Sequence, residues 1–212
     1  MVPENIRIKF TKTGRLRYIS HLDLCRTMQP AMIRAKIPLW YTEGFNPHPK
    51  MVFAQPLPLF VESKCEFLDI KIVENISCEE LKKRLRAAFT DELYVTDVYV
   101  PSAKFSEIAY ASYEIKGIAV GASEIKALLS GAVTIEKKTK SGAMKTIDIR
   151  DQIKSVNLRP DGTVECVLSA SQESYLNPDI FARALADRVG ADAEKSEITR
   201  TKWFRADMTE FR

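Results

Sequence analysis

Residues 6–10 alternate, with Ile6, Ile8 and Phe10 on one side and Arg7 and Lys9 on the other, the period-two pattern of a half-buried strand. Lys12-Thr13-Gly14 reads as a turn and Arg17-Tyr18-Ile19 as a short extended piece. Ser20 has the chemistry of a helix N-cap, with Asp23 placed where a carboxylate meets free backbone amides. The helix is expected to run to about Lys36, with Leu22, Cys25, Met32 and Ile33 on its inward stripe. Pro30 lacks a backbone N–H and predicts a kink or break near residues 27–29. The prolines at 38, 47, 49, 56 and 58 exclude a regular helix or central strand over residues 39–59, leaving a short edge strand near 51–54. Residues 65–73 read as a strand. Ser77-Cys78-Glu79-Glu80 is a capping box opening a helix to about Phe89, with Leu81, Leu85 and Ala88 inward, and residues 93–100 read as the next strand.

The second half repeats this grammar. Residues 110–120 read as a strand and 123–129 as a short helix capped by Ser123. Residues 133–138 and 145–149 form an expected hairpin around Lys140-Ser141-Gly142. A second hairpin pairs 156–159 with 163–168 around Pro160-Asp161-Gly162. Asn177-Pro178 caps a helix to about Val189, and 198–204 is a last strand. The expected fold class is α+β: two tandem ferredoxin-like (βαββαβ-type) units with antiparallel sheets. Residues 1–104 form the first, with a proline-rich insert, and residues 105–212 the second, with a boundary within 101–106.

Composition narrows the function classes. A hydrophobic fraction of 45% and a charged fraction of 28% are ordinary for a globular protein. No apolar run is long enough to span a bilayer, and the first residues lack the basic-then-apolar pattern of a signal peptide, so a cytoplasmic location and no membrane partner are expected. Cys25, Cys65, Cys78 and Cys166 form no local C-x-x-C pair, so no metal or iron–sulfur site is expected on this chain. Net charge is +4, but it is uneven. Between Arg7 and Lys50 there are nine basic residues against Asp23 and Glu43, and both histidines, His21 and His48, lie in that stretch. A mild basic excess permits an RNA partner without requiring one.

Two segments carry candidate chemistry. In the first, Arg17, Tyr18, Ser20, His21, Asp23 and Arg26 surround the first turn of a helix, where unpaired amides attract anions and His21 and Arg26 add donors. The simpler reading is that Ser20 and Asp23 cap the helix and Asp23 pairs with Arg26. In the second, Tyr41, Gly44, Phe45, Asn46, His48 and Lys50 lie on a loop that Pro47 and Pro49 stiffen. Gly44 supplies a positive φ, and the aromatics either stack on a base or close the core beneath a rigid connector. Lys137-Lys138-Thr139-Lys140 reads as a solvated hairpin tip, with phosphate contact as the minority reading, and Asp148, Arg150 and Asp151 as a surface ion pair or a cleft lining. No nucleotide-binding glycine motif or nucleophile elbow is present.

Ser20-His21-Leu22-Asp23 with Arg26, then Gly44-Phe45-Asn46-Pro47-His48-Pro49-Lys50, Pro56-Leu57-Pro58-Leu59 and Glu62-Ser63 together resemble the radical-SAM-associated bacterial domain family DUF2344 in its stand-alone form. Residues 145–150 also fit. Thr42-Glu43 stands where that family more often has Ser-Gln, and Pro30 where its helix usually continues. The resemblance implies a separately encoded radical-SAM partner, which would hold the iron–sulfur cluster and S-adenosylmethionine, with no cofactor bound by this chain. The family supplies no activity. The expected function is therefore an accessory or substrate-presenting module that binds RNA or an RNA–protein substrate. A metal-independent RNA-cleaving enzyme using His21 and His48, or a protein-only scaffold for the partner, stands as the alternative.

Overall fold

The computed structural model describes residues 3–138 and 144–212. It is a mixed α+β structure with antiparallel strand pairing and, among the described residues, four α-helices. The chain divides into two compact units, one through Phe105 together with Arg212, the other Ser106–Phe211.

The first unit contains β1 (Glu4–Lys12), α1 (His21–Arg34), β2 (Met51–Phe53), β3 (Val61–Ile72), α2 (Cys78–Ala88) and β4 (Val95–Tyr99). β1 pairs antiparallel with β3 and with β4, and β2 pairs antiparallel with β3, giving the order β4-β1-β3-β2. Ile6, Ile8 and Phe10 pack with Met28 of α1 and Leu81 and Leu85 of α2 in a continuous core. Ser20 and Ser77 cap their helices as expected, accepting from the Asp23 and Glu80 amides.

Several local expectations are corrected. Of residues 17–19 only Ile19 is extended: Gly14–Tyr18 is a turn of 3-10 helix. α1 runs through Pro30 without a break. Its buried positions are Leu24, Met28, Ala31 and Met32; of the expected stripe Met32 is buried and Cys25 half-buried, while Leu22 and Ile33 are exposed. Arg7, expected to face solvent, is fully buried. It forms a bidentate pair with Asp69 at 2.7 and 2.9 Å, donates to the Ala103 carbonyl at 2.9 Å, and stacks on the Phe105 ring at 4.2 Å. The segment that follows β4 covers this face of β1, which a period-two pattern does not reveal.

The second unit contains β5 (Tyr110–Lys116), α3 (Ala122–Leu129), β6 (Thr134–Lys138), β7 (Met144–Asp148), β8 (Ile153–Leu158), β9 (Val164–Ser169), α4 (Pro178–Val189) and β10 (Glu197–Phe204). Its strands run in the order β10-β5-β9-β8, all antiparallel, and β6 and β7 pair as a separate hairpin. With that hairpin set aside, element order and strand order match those of the first unit. The expected hairpin tip at residues 139–143 lies outside the described residues.

Asn177 caps α4, with Pro178 at its first position, and Gly190 ends it at φ 66°. The N-cap of α3 is Gly121, not Ser123, whose hydroxyl bonds the Glu124 carboxylate instead. Asp148 and Arg150, read as part of a surface ion pair or a cleft lining, instead bond the backbone among the described residues. Asp148 accepts from the Val133 and Arg150 amides, and Arg150 donates to the carbonyls of Leu129 and Ile153. Among the described residues no helix is long and apolar enough to cross a membrane.

Candidate functional site

The first motif segment is built on the 3-10 turn and the start of α1. The Ser20 hydroxyl donates to the Asp23 carboxylate at 2.6 Å and accepts from its amide at 3.2 Å. Asp23 and Arg26 form an exposed i,i+3 ion pair at 3.7 Å. The capping reading of these residues is therefore realised, and it occupies one of the free amides of the first turn.

His21 points the other way, into the sheet. Its ring meets Phe53 of β2 edge to face, with centroids 4.8 Å apart, and Nε2 lies 3.7 Å from Cys25 Sγ one turn on. Beneath it, Lys12 and Glu66 sit at the end of the core, 1% and 3% exposed. Lys12 Nζ donates to the Ile19 carbonyl at 3.2 Å. Burial lowers the His21 pKa below its ordinary 6.5, the Glu66 carboxylate opposes that shift, and the Lys12 ammonium adds to it. Burial also pushes the Cys25 thiol up.

Beside this helix start lies an exposed aromatic surface. Tyr18 and Phe60 are 55% and 65% exposed, with rings edge to face and centroids 6.0 Å apart. The Arg17 guanidinium lies 4.9 Å from the Tyr18 ring centroid, and its Nη2 donates to the Tyr18 hydroxyl at 2.8 Å. The Phe60 amide donates to the Arg17 carbonyl at 2.8 Å, which ties the proline-rich segment to the 3-10 turn. Phe60 holds φ at 67°, a left-handed conformation that bulky side chains rarely adopt. Leu22 and Leu59 are exposed as well. Phe60, Leu59 and Leu22 are additions to the sequence-derived set. Pro58-Leu59 marked the segment, but its reversal onto Arg17 depends on a positive φ that no residue type there announces.

The second motif segment forms a closed loop. Tyr41 bridges to Pro49, and the Thr42 amide donates to the His48 carbonyl at 2.9 Å. His48 Nδ1 lies 3.1 Å from the Thr42 hydroxyl and 3.2 Å from the Asn46 carbonyl. Gly44 takes φ 126°, as its place in the loop requires. Phe45 is fully exposed and Tyr41 exposed, so neither closes the core. Asn46 and Lys50 are exposed too, and the Lys50 amide donates to the Trp40 carbonyl at 3.3 Å.

The structure thus brings Arg17, Tyr18, Ser20, His21, Asp23 and Arg26 together on one helix start, and Tyr41, Gly44, Phe45, Asn46, His48 and Lys50 on one loop. His21 contacts Phe53 and Cys25, whereas His48 contacts Thr42 and Asn46, and the two rings share no partner among these contacts. Among the described residues no cluster of three or more His, Cys, Asp or Glu side chains is arranged to hold a metal ion.

A family model described as "Uncharacterized protein conserved in bacteria (DUF2344)" matches residues 5–178. No curated protein matches the chain. A crystal structure of an unknown protein from Galdieria sulphuraria is similar at 8% identity, over 94% of this chain and 99% of that one, with a TM-score of 0.30. A likeness that loose carries no argument about fold or function.

Proposed function

The chain belongs to the DUF2344 family, and on that premise we propose that it is an accessory module that presents RNA, or an RNA–protein substrate, to a separately encoded radical-SAM enzyme in the cytoplasm. The iron–sulfur cluster and S-adenosylmethionine belong to that partner. We read the two units as tandem ferredoxin-like domains, a reading supported by the repeated strand order with one inserted hairpin.

The observation that carries the RNA reading is the exposed pair Tyr18 and Phe60 beside Arg17. Rings that do not pack into the core offer π faces to unpaired bases, and a guanidinium fixed over one of them adds charge for the backbone. Phe45, fully exposed on a stiff loop, offers a further ring at small entropic cost. RNA cleavage by His21 and His48 is the weaker alternative, because general acid–base catalysis needs both rings within reach of one phosphate and their contacts are separate.

The test is binding of the purified protein to total small RNA at low salt, with Tyr18→Ala and Arg17→Ala variants. Each substitution is expected to weaken binding about fivefold or more, in keeping with roughly 1–3 kcal/mol per stacked base. Absence of binding by the wild type overturns the RNA reading and leaves the protein-only scaffold. Shortened RNA after incubation, lost in His21→Ala, restores the nuclease.

A further inference from the structure

The second unit carries an open sheet edge beside an apolar groove. β8 is the last strand of its sheet and pairs only with β9 among the described residues. Backbone N–H and C=O groups on the outer side of such a strand are a template for another extended chain. One of them is capped: the Ile153 carbonyl accepts from Arg150 Nη1 at 3.1 Å. A register shift between Ile153 and Ser155 also blunts the first positions. From Val156 to Leu158 the pairing with β9 is regular, and the outward backbone groups there have no partner among the described residues. β4, the outer strand of the first unit, is managed differently: Arg86 donates to its Val95 and Thr96 carbonyls.

Alongside β8 runs a groove of about 500 Å³ between the strand and α3. Ile125 and Leu129 line it from the helix, and Val156 and Leu158 from the strand. Lys126 is the one charged side chain in its lining, with no acid present. Lys126 forms no ion pair among the described residues. A free strand edge flanked by an apolar, helix-walled groove is the arrangement in which an added strand gains main-chain hydrogen bonds while alternate side chains enter pockets. Lys126, the one charged side chain in that lining, sets the sign of what fits.

We propose that the β8–α3 groove binds an extended segment of a protein partner, added as an antiparallel or parallel strand to β8, with apolar residues at alternate positions and carboxylates between or flanking them. This goes beyond RNA presentation and does not depend on it, since no residue of the aromatic surface takes part.

A capped heptapeptide of alternating glutamate and valine serves as the probe, with its lysine–valine counterpart and an N-methylated glutamate–valine peptide as controls. Backbone amide shifts and hydrogen exchange of the full chain report the result. The expected outcome is at least tenfold slower exchange at amides within residues 155–158, with binding at least tenfold weaker for the N-methylated peptide. Lys126→Glu, an exposed change that spares the fold, is expected to weaken the glutamate peptide about fivefold and to favour the lysine peptide. Equal binding of the lysine or N-methylated peptide, or shifts confined to other strands, overturns the proposal. Protection of the same amides without peptide, growing with protein concentration, overturns it in favour of a second copy at this edge.

Discussion

Phe60 is the residue at which strain and exposure coincide. A left-handed conformation costs a bulky L-residue about 1–2 kcal/mol, and a ring left 65% in water recovers little of that by burial. Phe60→Gly removes both the strain and the ring. Stability in urea unfolding is expected to stay level or rise by about 1 kcal/mol, while RNA affinity falls at least fivefold. A matched loss of stability and affinity would instead mean that the ring is structural. His21 gives a prediction of a different kind. Its folded pKa lies below the ordinary 6.5, mainly through burial, so just below pH 6.5 the unfolded chain binds more protons than the native one. The contribution to stability is therefore intact above pH 6.5 and is lost as pH falls through the depressed value. His21→Asn is expected to flatten the decline in thermal midpoint between about pH 7 and pH 5, and an unchanged slope would show that His21 titrates normally.

At the scale of elements, α1 tests how far a proline can be tolerated. Pro30 is exposed within an otherwise regular helix and gives up one i→i−4 hydrogen bond. Packing of Leu24, Met28 and Met32 against the sheet holds the helix together across that gap. Pro30→Ala is expected to raise stability by roughly 1–3 kcal/mol, read as a higher urea midpoint at unchanged m-value. No gain would indicate that the helix has already adapted its backbone around the proline. The same helix shows what was legible in advance. Ser20, Ser77 and Asn177 announced helix starts because capping is a local act between a side chain and amides two or three residues on. Strand and helix order followed from periodicity. The inward face of α1 did so only at Met32, because Leu22 and Ile33 mimic a core stripe and are spent on the surface. The burial of Arg7 did not, since it depends on Asp69 and Ala103, 62 and 96 residues away. Of the candidate site, both motif segments were visible as residues, but the Tyr18–Phe60 surface was not, since it needs a turn at Phe60 that composition does not encode.

For the molecule as a whole, the distribution of charge bears on RNA more than its total does. The stretch from Arg7 to Lys50 holds nine basic residues, yet two of them are removed from phosphate by burial: Arg7 against Asp69, and Lys12 beneath His21. Of the others, Arg15, Arg17 and Arg26 stand on or next to the segment that presents Tyr18. Two of these have weak exposed partners, Glu92 at 3.5 Å and Asp23 at 3.7 Å, which a phosphate can displace at little cost. Three phosphate contacts on a single strand give a slope of log affinity against log salt of about −2, and hence a loss of roughly eighteenfold between 50 and 200 mM salt. A titration of single-stranded RNA over that range is expected to show this slope, and Arg17→Ala to reduce it by about one contact. A slope near −6 would mean that nearly all the basic residues of the stretch engage, including the two that the fold buries, and would overturn the assignment of the surface. A flat response would remove electrostatics from the interaction altogether and leave this family member as a docking platform whose partner is protein alone.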